Sequence, residues 1–293
     1  MDTKDRKQKQ RLDDYLVAQG WFDTKSQAQA ALMSGQVKIN DEVITKAGTQ
    51  VKPDKEMNIE VKTLPYVSRG GFKLEKAVKE FNIEIKNKIC LDIGASTGGF
   101  TDFLLQNGAT KVYAVDVGYG QLAWKLRQNP DVVVIERTNI KLATPEDVYK
   151  DIDPAQKELY ARFTCVDVSF ISVTRILENI KSFMNPDNQE LILLIKPQFE
   201  AGREQVPKSG VIKDKKTHFE VIKKVADFVK ETGYFSINLT FSPIRGPAGN
   251  IEYLIYLSNN PDYGKMDKTE FEKLISEVVE KSHEHFNNSP VKK

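Results

Sequence analysis

Apolar residues in the first sixty positions follow first helical and then strand spacing. Leu12 and Leu16 share one face of a predicted helix, and Ser26 is the predicted N-cap of a second helix. The segment QVKINDEVIT then alternates as two short strands joined by a tight Asn-Asp turn. This pattern predicts a small α+β domain over residues 1–62.

The spacing changes after residue 88, where short apolar runs alternate with helical stretches. The predicted strands are KICLDIG, KVYAVDVG, VVVIER, RFTCVDVSF and LILLIKP. A helix over residues 215–231 and two further strands, YFSINLTFSPI and NIEYLIYLS, follow. Such alternation indicates an α/β, Rossmann-like fold: a parallel sheet with helices on both faces and an antiparallel hairpin at its edge.

Three further segments complete the predicted organisation. Residues 63–70 form a linker, residues 71–265 form the large domain, and residues 266–293 form a C-terminal helix and tail. His283 and His285 in that helix resemble a metal-binding pair, but no third ligand is near them in the sequence. We therefore expect a solvated helix end there, and no metal.

The composition is that of a folded globular protein, with 40% hydrophobic and 29% charged residues. A net charge of +2 does not by itself indicate nucleic-acid binding, so any such site must come from local patches. Cys90 and Cys165 lie in apolar runs and are expected to be buried thiols. The chain has no apolar signal core and no apolar run of about 18 residues, so we expect a cytoplasmic protein without membrane partners.

A glycine-rich turn, LDIGASTGGFTDFLL, is the strongest cofactor signal. Its spacing is G-x-x-x-G-G rather than G-x-G-x-x-G, which disfavours a nicotinamide cofactor, and Asp116 ends the next strand where it can bind ribose hydroxyls. S-adenosylmethionine is the predicted cofactor, in keeping with a parallel sheet closed by one reversed strand, although a turn that only packs strand against helix is the alternative. The predicted cofactor site is Asp92, Gly94, Ala95, Ser96, Gly98, Gly99, Phe100, Asp116 and Val117.

Charged residues stand at the ends of several predicted strands. Lys196 follows a wholly apolar run, and Asp167 has the equivalent place one strand earlier. Glu252 begins the strand after the GPAGN turn, and Lys73 precedes the first strand of the large domain. Because the carboxyl ends of parallel strands meet at one edge, we expect these charges to form one site beside the glycine turn.

The first sixty residues resemble the RNA-binding αL domain of a small-subunit ribosomal protein, through RLDDYLV, SQAQAALMSGQVKIN and DEVI in that order. The resemblance implies RNA contact through the second helix and the turn after it. Gln27 departs from the family, which usually has a basic residue there. Cations that could contact phosphates are predicted at Arg6, Lys7, Arg11, Lys25, Lys38 and Arg69.

The chain as a whole resembles the TlyA (hemolysin A) family through VSRGGFKL, LDIGASTGGFTDFLL, AVDVGYGQL, VDVSFIS, LIKPQFEAGRE, GVIKD and GNIEYL. These proteins resemble FtsJ-like ribosomal-RNA 2'-O-methyltransferases, which implies ribosomal RNA of the small or large subunit as partner and cytidine as target. The family's catalytic tetrad falls on Lys73, Asp167, Lys196 and Glu252. The sequence leaves open which nucleotide is methylated.

The expected roles of the tetrad follow from acid–base chemistry. Lys196 is the expected general base, and burial together with the neighbouring Lys73 would lower its pKa. Asp167 would orient Lys196, and Glu252 would hold Lys73. Three competing readings are an RNA-binding protein without catalysis, a membrane-active hemolysin and a non-catalytic dinucleotide-binding domain. No insertion segment in the sequence supports the hemolysin, and the glycine spacing disfavours the dinucleotide-binding domain.

Overall fold

The computed structural model describes residues 9–22, 24–33, 35–52, 57–62, 64–263 and 266–288. The chain divides into two compact units, Met1–Arg69 and Gly70–Lys293. Arg6 and Lys7, two of the predicted RNA contacts, lie outside the described residues.

The first unit is a small α+β domain. Its elements are β1 (Gln10–Arg11), α1 (Leu12–Ala18), α2 (Lys25–Met33), β2 (Val37–Ile39), β3 (Glu42–Val43), β4 (Gln50–Val51) and β5 (Ile59–Val61). Strands β1 and β4 form one small sheet, and β3, β2 and β5 form another in that order. Leu12 and Leu16 pack in its core with Ala28 and Leu32, as the helical spacing predicts.

The start of α2 differs from the prediction. The helix begins at Lys25, so Ser26 lies within its first turn and Thr24 is the capping residue. Gln27 N–H donates to Thr24 Oγ1 at 3.2 Å, and Thr24 N–H donates to Gln27 Oε1 at 3.2 Å. This reciprocal capping box gives Gln27, the residue that departs from the RNA-binding pattern, a structural role.

The predicted turn between β2 and β3 is confirmed. Asn40 and Asp41 both have left-handed backbones, with φ of 48° and 68°, and the strands on either side pair antiparallel. Two successive left-handed residues match the right-handed twist of a hairpin, and Asn and Asp tolerate that conformation better than other non-glycine residues.

The second unit contains one large sheet and its flanking helices. Its strands are β6 (Ile89–Ile93), β7 (Lys111–Val115), β8 (Val132–Ile135), β9 (Phe163–Val166), β10 (Glu190–Ile195), β11 (Phe235–Phe241) and β12 (Tyr253–Ser258). Its helices are α3 (Gly70–Glu80), α4 (Gly99–Gln106), α5 (Trp124–Arg127), α6 (Pro145–Val148), α7 (Leu177–Ser182), α8 (Pro197–Glu200), α9 (Lys215–Glu231) and α10 (Lys268–Asn288).

The strand order of the large sheet is β11-β12-β10-β9-β6-β7-β8. Strands β6 to β10 pair in parallel, whereas β12 runs antiparallel to both β10 and β11. The predicted parallel sheet closed by one reversed strand is therefore confirmed. The chain passes from β6 to β7 on one side and later to β9 on the other, so a crevice opens at the carboxyl ends of β6 and β9.

The C-terminal helix corrects one prediction. Phe271, Ile275 and Val279 of α10 are buried in the main core, as the helical spacing predicts. The expectation of a solvated helix end was wrong for His283, which is only 8% exposed. The inner face of the helix continues one turn further than expected, because His283 packs against His218 of α9, with His283 Nε2 3.0 Å from His218 Nδ1.

None of the helices in the described residues is both long and apolar enough to cross a membrane. Within the same residues, no group of three or more His, Cys, Asp or Glu side chains could hold a metal ion.

Candidate active site

Four strands of the large sheet place side chains at one edge. Lys196 directly follows β10, and Asp167 directly follows β9. Gly94 follows β6, and Asp116 follows β7. All four strands are parallel, so these residues lie along the carboxyl edge of the sheet, where α/β proteins bind their ligands.

The four predicted tetrad residues are brought together by the fold. Asp167 Oδ1 lies 2.6 Å from Lys196 Nζ, and Asp167 Oδ2 lies 3.4 Å from Lys73 Nζ. Lys73 Nζ is also 2.7 Å from Glu252 Oε2. The resulting chain of alternating charges runs from Lys196 through Asp167 and Lys73 to Glu252.

Three residues of the tetrad are buried and Asp167 is partly buried, and the four charges balance. Lys73 is 7% exposed, Lys196 is 8% exposed, and Glu252 has no exposed surface. Two ammonium groups face two carboxylates, so each buried charge has an opposite partner. Removing one member would leave an unpaired charge in a poorly solvated place, which is strongly unfavourable.

The charges around Lys73 and Asp167 shift the pKa values of these two residues in opposite directions. Burial alone would lower the pKa of Lys73, but the nearby Asp167 and Glu252 outweigh it and the pKa is raised. Burial would raise the pKa of Asp167, but Lys73 and Lys196 outweigh it and the pKa is lowered. Lys73 is therefore a stable cation and Asp167 a stable anion near neutral pH, so Lys73 is poorly suited to accept a proton.

Local structure explains how Lys73 and Glu252 reach the site. Lys73 lies in the first turn of α3 on its inner face, with Leu74 and Ala77. Glu252 directly precedes β12, and a Cβ atom at Gly246 would overlap its carboxylate. The glycine in the GPAGN turn thus leaves the space that the Glu252 side chain fills.

Ser169 was not predicted from the sequence. Lys196 Nζ donates to Ser169 Oγ at 2.9 Å, so the serine contacts the expected base directly. Its place two residues after Asp167, in the same strand-end loop, is the signal that could have found it. An isolated serine in a loop is usually exposed to solvent without a role, and only the fold shows that this one reaches Lys196.

A cavity of about 310 Å³ lies beside the tetrad. Of the predicted cofactor residues, Gly94, Ser96, Asp116 and Val117 line it, and Asp167 lines it as well. The sequence did not single out the other polar lining residues, Gln121, Thr138 and Asn139. Thr138 and Asn139 do not directly follow β8, because Glu136 and Arg137 stand between, so the strand-end argument used for Asp116 would not have found them.

Gly94 connects the cavity to the tetrad. Its φ is +86°, and a Cβ atom there would overlap the carbonyl oxygen of Asp167. The close approach of the β6 and β9 ends therefore requires glycine. Any larger residue would push Asp167 away from the cavity.

The remaining predicted cofactor residues lie beneath the cavity or in the helix after it. Asp92 is wholly buried and accepts a hydrogen bond from Thr101 Oγ1 at 2.6 Å. Burial raises the pKa of Asp92 to about 7. Gly98, with a φ of +95°, makes room for Leu122 and Leu126, while Ala95, Gly99 and Phe100 are buried in the turn and the first residues of α4.

The side chains that line the cavity, and its volume, fit S-adenosylmethionine. Asp116 is held in place because Ser96 N–H donates to its Oδ2 at 2.8 Å and Gly118 N–H donates to its Oδ1 at 2.6 Å. A fixed carboxylate with free lone pairs suits a pair of ribose hydroxyls. Apolar side chains in the wall, including Val117 and Ile140, suit an adenine ring, and the volume is at the lower end of ligand pockets, roughly 300 to 1,000 Å³.

Two of the predicted RNA contacts of the first unit, Arg11 and Lys25, have carboxylate partners. Arg11 donates to both carboxylate oxygens of Asp13, at 3.0 and 2.7 Å, and this lowers the pKa of Asp13 to about 2. Lys25 Nζ lies 2.7 Å from Asp14 Oδ1. Lys38 is half-buried in β2, and Arg69, at the end of this unit, is also half-buried.

The fold and the site define a Rossmann-like methyltransferase joined to a second small domain. Residues 66–259 match the family of FtsJ-like methyltransferases, and residues 10–56 match the S4 domain. The chain therefore belongs to the FtsJ-like methyltransferase family and carries an S4 domain, as the two resemblances in its sequence imply.

Three similar proteins illustrate the relationship. The protein YqxC of Bacillus subtilis is 46% identical over 275 residues, which cover 94% of each chain. The 16S/23S rRNA (cytidine-2'-O)-methyltransferase TlyA of Mycobacterium tuberculosis is 38% identical over 253 residues, covering 86% of this chain and 91% of that protein. A solved structure from Streptococcus thermophilus, named as a hemolysin, superposes with a TM-score of 0.73 at 40% identity, covering 96% of this chain and 98% of the other.

Proposed function

We propose that the chain transfers a methyl group from S-adenosylmethionine to the ribose 2'-hydroxyl of a cytidine in ribosomal RNA. The observation that carries this proposal is Asp167, which lines the cavity and also forms an ion pair with Lys196 at 2.6 Å. A group that can hold the base therefore lies at the wall of the space suited to the methyl donor.

The substrate class is supported by similarity. The TlyA protein of Mycobacterium tuberculosis is named for cytidine 2'-O-methylation of 16S and 23S rRNA, and this chain covers most of it. We propose ribosomal RNA of the small or large subunit as the partner of this chain. A protein that methylates ribosomal RNA would act in the cytoplasm, and we propose this location for the chain.

The cofactor would be held by the cavity residues Gly94, Ser96, Asp116 and Val117. When bound, S-adenosylmethionine supplies an electrophilic methyl group on a positively charged sulfur. The buried Asp92 and Gly98 would act beneath the cavity by fixing the shape of the glycine turn, together with Ala95, Gly99 and Phe100.

The proposed proton acceptor is Lys196 Nζ in its neutral form. Its lone pair takes the proton of the 2'-hydroxyl, and the oxygen keeps the electron pair with which it accepts the methyl group. Asp167 holds the amine at the cavity wall and stabilises the ammonium that forms. Lys73, which Glu252 holds in turn, contacts the other oxygen of Asp167, so the carboxylate stays in place throughout the reaction.

We further propose a division of labour along the chain. Residues 1–62 would dock structured RNA through phosphates, with Arg6, Lys7, Arg11, Lys25, Lys38 and Arg69 as candidate contacts. Residues 63–70 would be the linker, residues 71–265 would carry catalysis, and residues 266–293 would form the closing helix and tail. The target nucleotide would have to leave its stack to reach the cavity.

Methyl transfer to unmodified ribosomal subunits tests the proposal. Purified small and large subunits would be incubated with labelled S-adenosylmethionine, and 2'-O-methylated positions would then be mapped on both RNAs. The expected result is label on a specific cytidine ribose. Cofactor binding without label on either subunit would contradict the proposal and favour an RNA-binding role without catalysis.

A further inference from the structure

Lys196 Nζ has two acceptors that come from one short segment. Asp167 Oδ1 lies at 2.6 Å and Ser169 Oγ at 2.9 Å. Val168 separates the two residues, and all three line the cavity. The base that the proposed function requires is thus bound on two sides by a single loop.

The geometry of an amine makes the second acceptor important. A neutral lysine amine has two N–H bonds and one lone pair in tetrahedral directions, whereas an ammonium has no lone pair. With one acceptor, the amine can rotate about its C–N bond and its hydrogen bond, and the lone pair sweeps through many directions. With both N–H bonds occupied by Asp167 and Ser169, the lone pair has one direction left.

We infer that Ser169 is a positioning residue that directs the lone pair of Lys196 toward the methyl-acceptor hydroxyl. This inference rests on the proposed function, because it assigns Lys196 the role of base. Alignment of this kind raises the rate of the chemical step without adding affinity for either substrate. Ser169 acts through Lys196 and needs no contact with the RNA.

The loop that carries Ser169 is fixed at both ends. Asp167 N–H donates to the carbonyl oxygen of Ile93 at 2.9 Å. Further along, Val173 N–H donates to Glu200 Oε1 at 2.8 Å, and Ser172 Oγ donates to the same carboxylate. Because both ends are held, the loop limits the positions that the exposed Ser169 can take relative to Lys196.

Two substitutions and a matched control test the inference. Ser169→Ala removes the acceptor, and Ser169→Thr keeps a hydroxyl at the same atom. Ser276→Ala changes an exposed serine on α10, whose hydroxyl donates only within its own helix at 3.1 Å. Single-turnover rates of methyl transfer to ribosomal RNA would be measured with saturating enzyme and cofactor, together with the Kd for RNA and for S-adenosylmethionine.

For Ser169→Ala we expect a rate about tenfold or more below wild type with both Kd values unchanged, because Lys196 becomes charged as it takes the proton and would then lack one hydrogen-bond acceptor. Ser169→Thr should restore most of the rate, and Ser276→Ala should match wild type. A wild-type rate in Ser169→Ala would overturn the inference, and so would an equal loss in the threonine variant. Wild-type enzyme that leaves the ribose unlabelled would instead contradict the proposed function, and the inference would fall with it.

Discussion

Each carboxylate oxygen of Asp167 contacts a different lysine, and the two lysines differ in their other partners. Oδ2 faces Lys73, which also has Glu252 as a partner, whereas Oδ1 faces Lys196, whose second partner is the uncharged Ser169. Lys73 thus meets two negative charges and its pKa is raised. Lys73 is therefore held as a cation, which leaves Lys196 as the lysine of the tetrad that we propose as the base.

Loss of either member of the Lys196–Asp167 pair should stop catalysis without emptying the cofactor site. For Lys196→Ala and Asp167→Asn we expect methyl transfer to fall by about 100-fold or more, the usual contribution of a positioned base. The Kd for S-adenosylmethionine, measured by calorimetry, should change little, because Asp116 and the glycine turn are untouched. The matched control is Lys216→Ala, an exposed lysine on α9. Normal turnover in Lys196→Ala would show that another group is the base.

At the residue scale, the sequence predicts charged groups better than it predicts their neighbours. Lys196 and Asp167 could be found because a charge directly after an apolar strand stands at the ligand edge of a parallel sheet. Ser169 stands near Asp167 in the sequence, but its contact with Lys196 depends on the bend of the loop, which the sequence pattern does not specify. Asp92 shows the converse: a carboxylate within a strand, predicted to bind cofactor, is covered on all sides by the folded chain.

Glu200 joins the two loops that carry the proposed base and its partner. It ends α8, the short helix that begins directly after Lys196, and it is almost fully buried. It accepts hydrogen bonds from Val173 N–H and Ser172 Oγ, which belong to the loop after Asp167. Burial raises the pKa of Glu200 despite these hydrogen bonds.

Removing this carboxylate should loosen both loops together. For Glu200→Ala we expect the free energy of unfolding to fall by about 1 to 3 kcal/mol, because two buried donors lose their acceptor. Methyl transfer should fall as well, and Glu200→Gln should retain part of each property because its amide oxygen can still accept. Chemical denaturation and single-turnover assays would measure both. Glu204→Ala, in the exposed turn that follows, is the control, and an equal effect there would contradict the role assigned to Glu200.

A buried polar cluster joins α9, β12 and α10. His218 Nε2 lies 3.2 Å from the carbonyl oxygen of Ile212, so it donates, and Nδ1 accepts from Tyr253 Oη at 2.8 Å. His283 Nε2 is 3.0 Å from the same Nδ1, and Ser282 Oγ is 3.0 Å from Tyr253 Oη. Burial and the neighbouring His283 lower the pKa of His218 to about 4.

Acid should therefore destabilise the fold through His218. The unfolded chain takes up a proton below its ordinary pKa of about 6.5, whereas the folded chain does so only near 4, so stability is full above pH 6.5 and is lost as the pH falls toward 4. The difference of roughly 2.5 pKa units corresponds to on the order of 3 kcal/mol. His218→Gln should be less stable at pH 7 but should lose less stability on acidification.

Denaturation curves of both proteins between pH 7 and pH 4 would test this. Asp92 has a raised pKa of about 7, so its contribution runs the other way and stability falls as the pH rises from its ordinary pKa toward 7. The difference in stability between wild type and variant does not contain the Asp92 contribution, because Asp92 is present in both proteins. Parallel stability curves for the two proteins would rule out His218 as the source.

The sequence predicts the helices better than it predicts where each helix begins and ends. The spacing of Phe271, Ile275 and Val279 correctly predicts the inner face of α10, because each lies one helical turn from the next. The burial of His283 depends on His218, 65 positions away, and no local pattern carries that information. The start of α2 is a second example of a helix end that the sequence leaves open. Thr24 and Ser26 are both suitable N-cap residues, and only the observed start of the helix identifies Thr24 as the cap.

At the scale of the whole molecule, the two units divide the expected tasks. The order of strands and helices predicts the sheet of the second unit because right-handed crossovers leave few alternatives for a βαβ chain. The same order predicts the crevice at the β6 and β9 ends, where the cavity lies. Among the described residues, those that line this cavity all belong to the second unit.

Deleting residues 1–60 should separate RNA binding from cofactor binding. The second unit is compact by itself and contains the whole tetrad and the cavity, so the shortened chain should bind S-adenosylmethionine with nearly the same Kd. Its affinity for ribosomal RNA should fall by about tenfold or more, because phosphate contacts supply most of the affinity for structured RNA.

The salt dependence identifies the cause of that loss. Each phosphate contact contributes roughly 0.7 to 0.9 to the slope of log K against log salt, so a lost set of cations should flatten the slope as well as weaken binding. The full-length variant Lys38→Ala, which removes one candidate cation, should show a smaller change in the same direction. Equal RNA affinity before and after the deletion, with cofactor binding intact, would assign RNA docking to the second unit instead. A weaker affinity with an unchanged slope would mean that the first unit contacts RNA through uncharged groups. Arg11 and Lys25 would then serve only in ion pairs with Asp13 and Asp14.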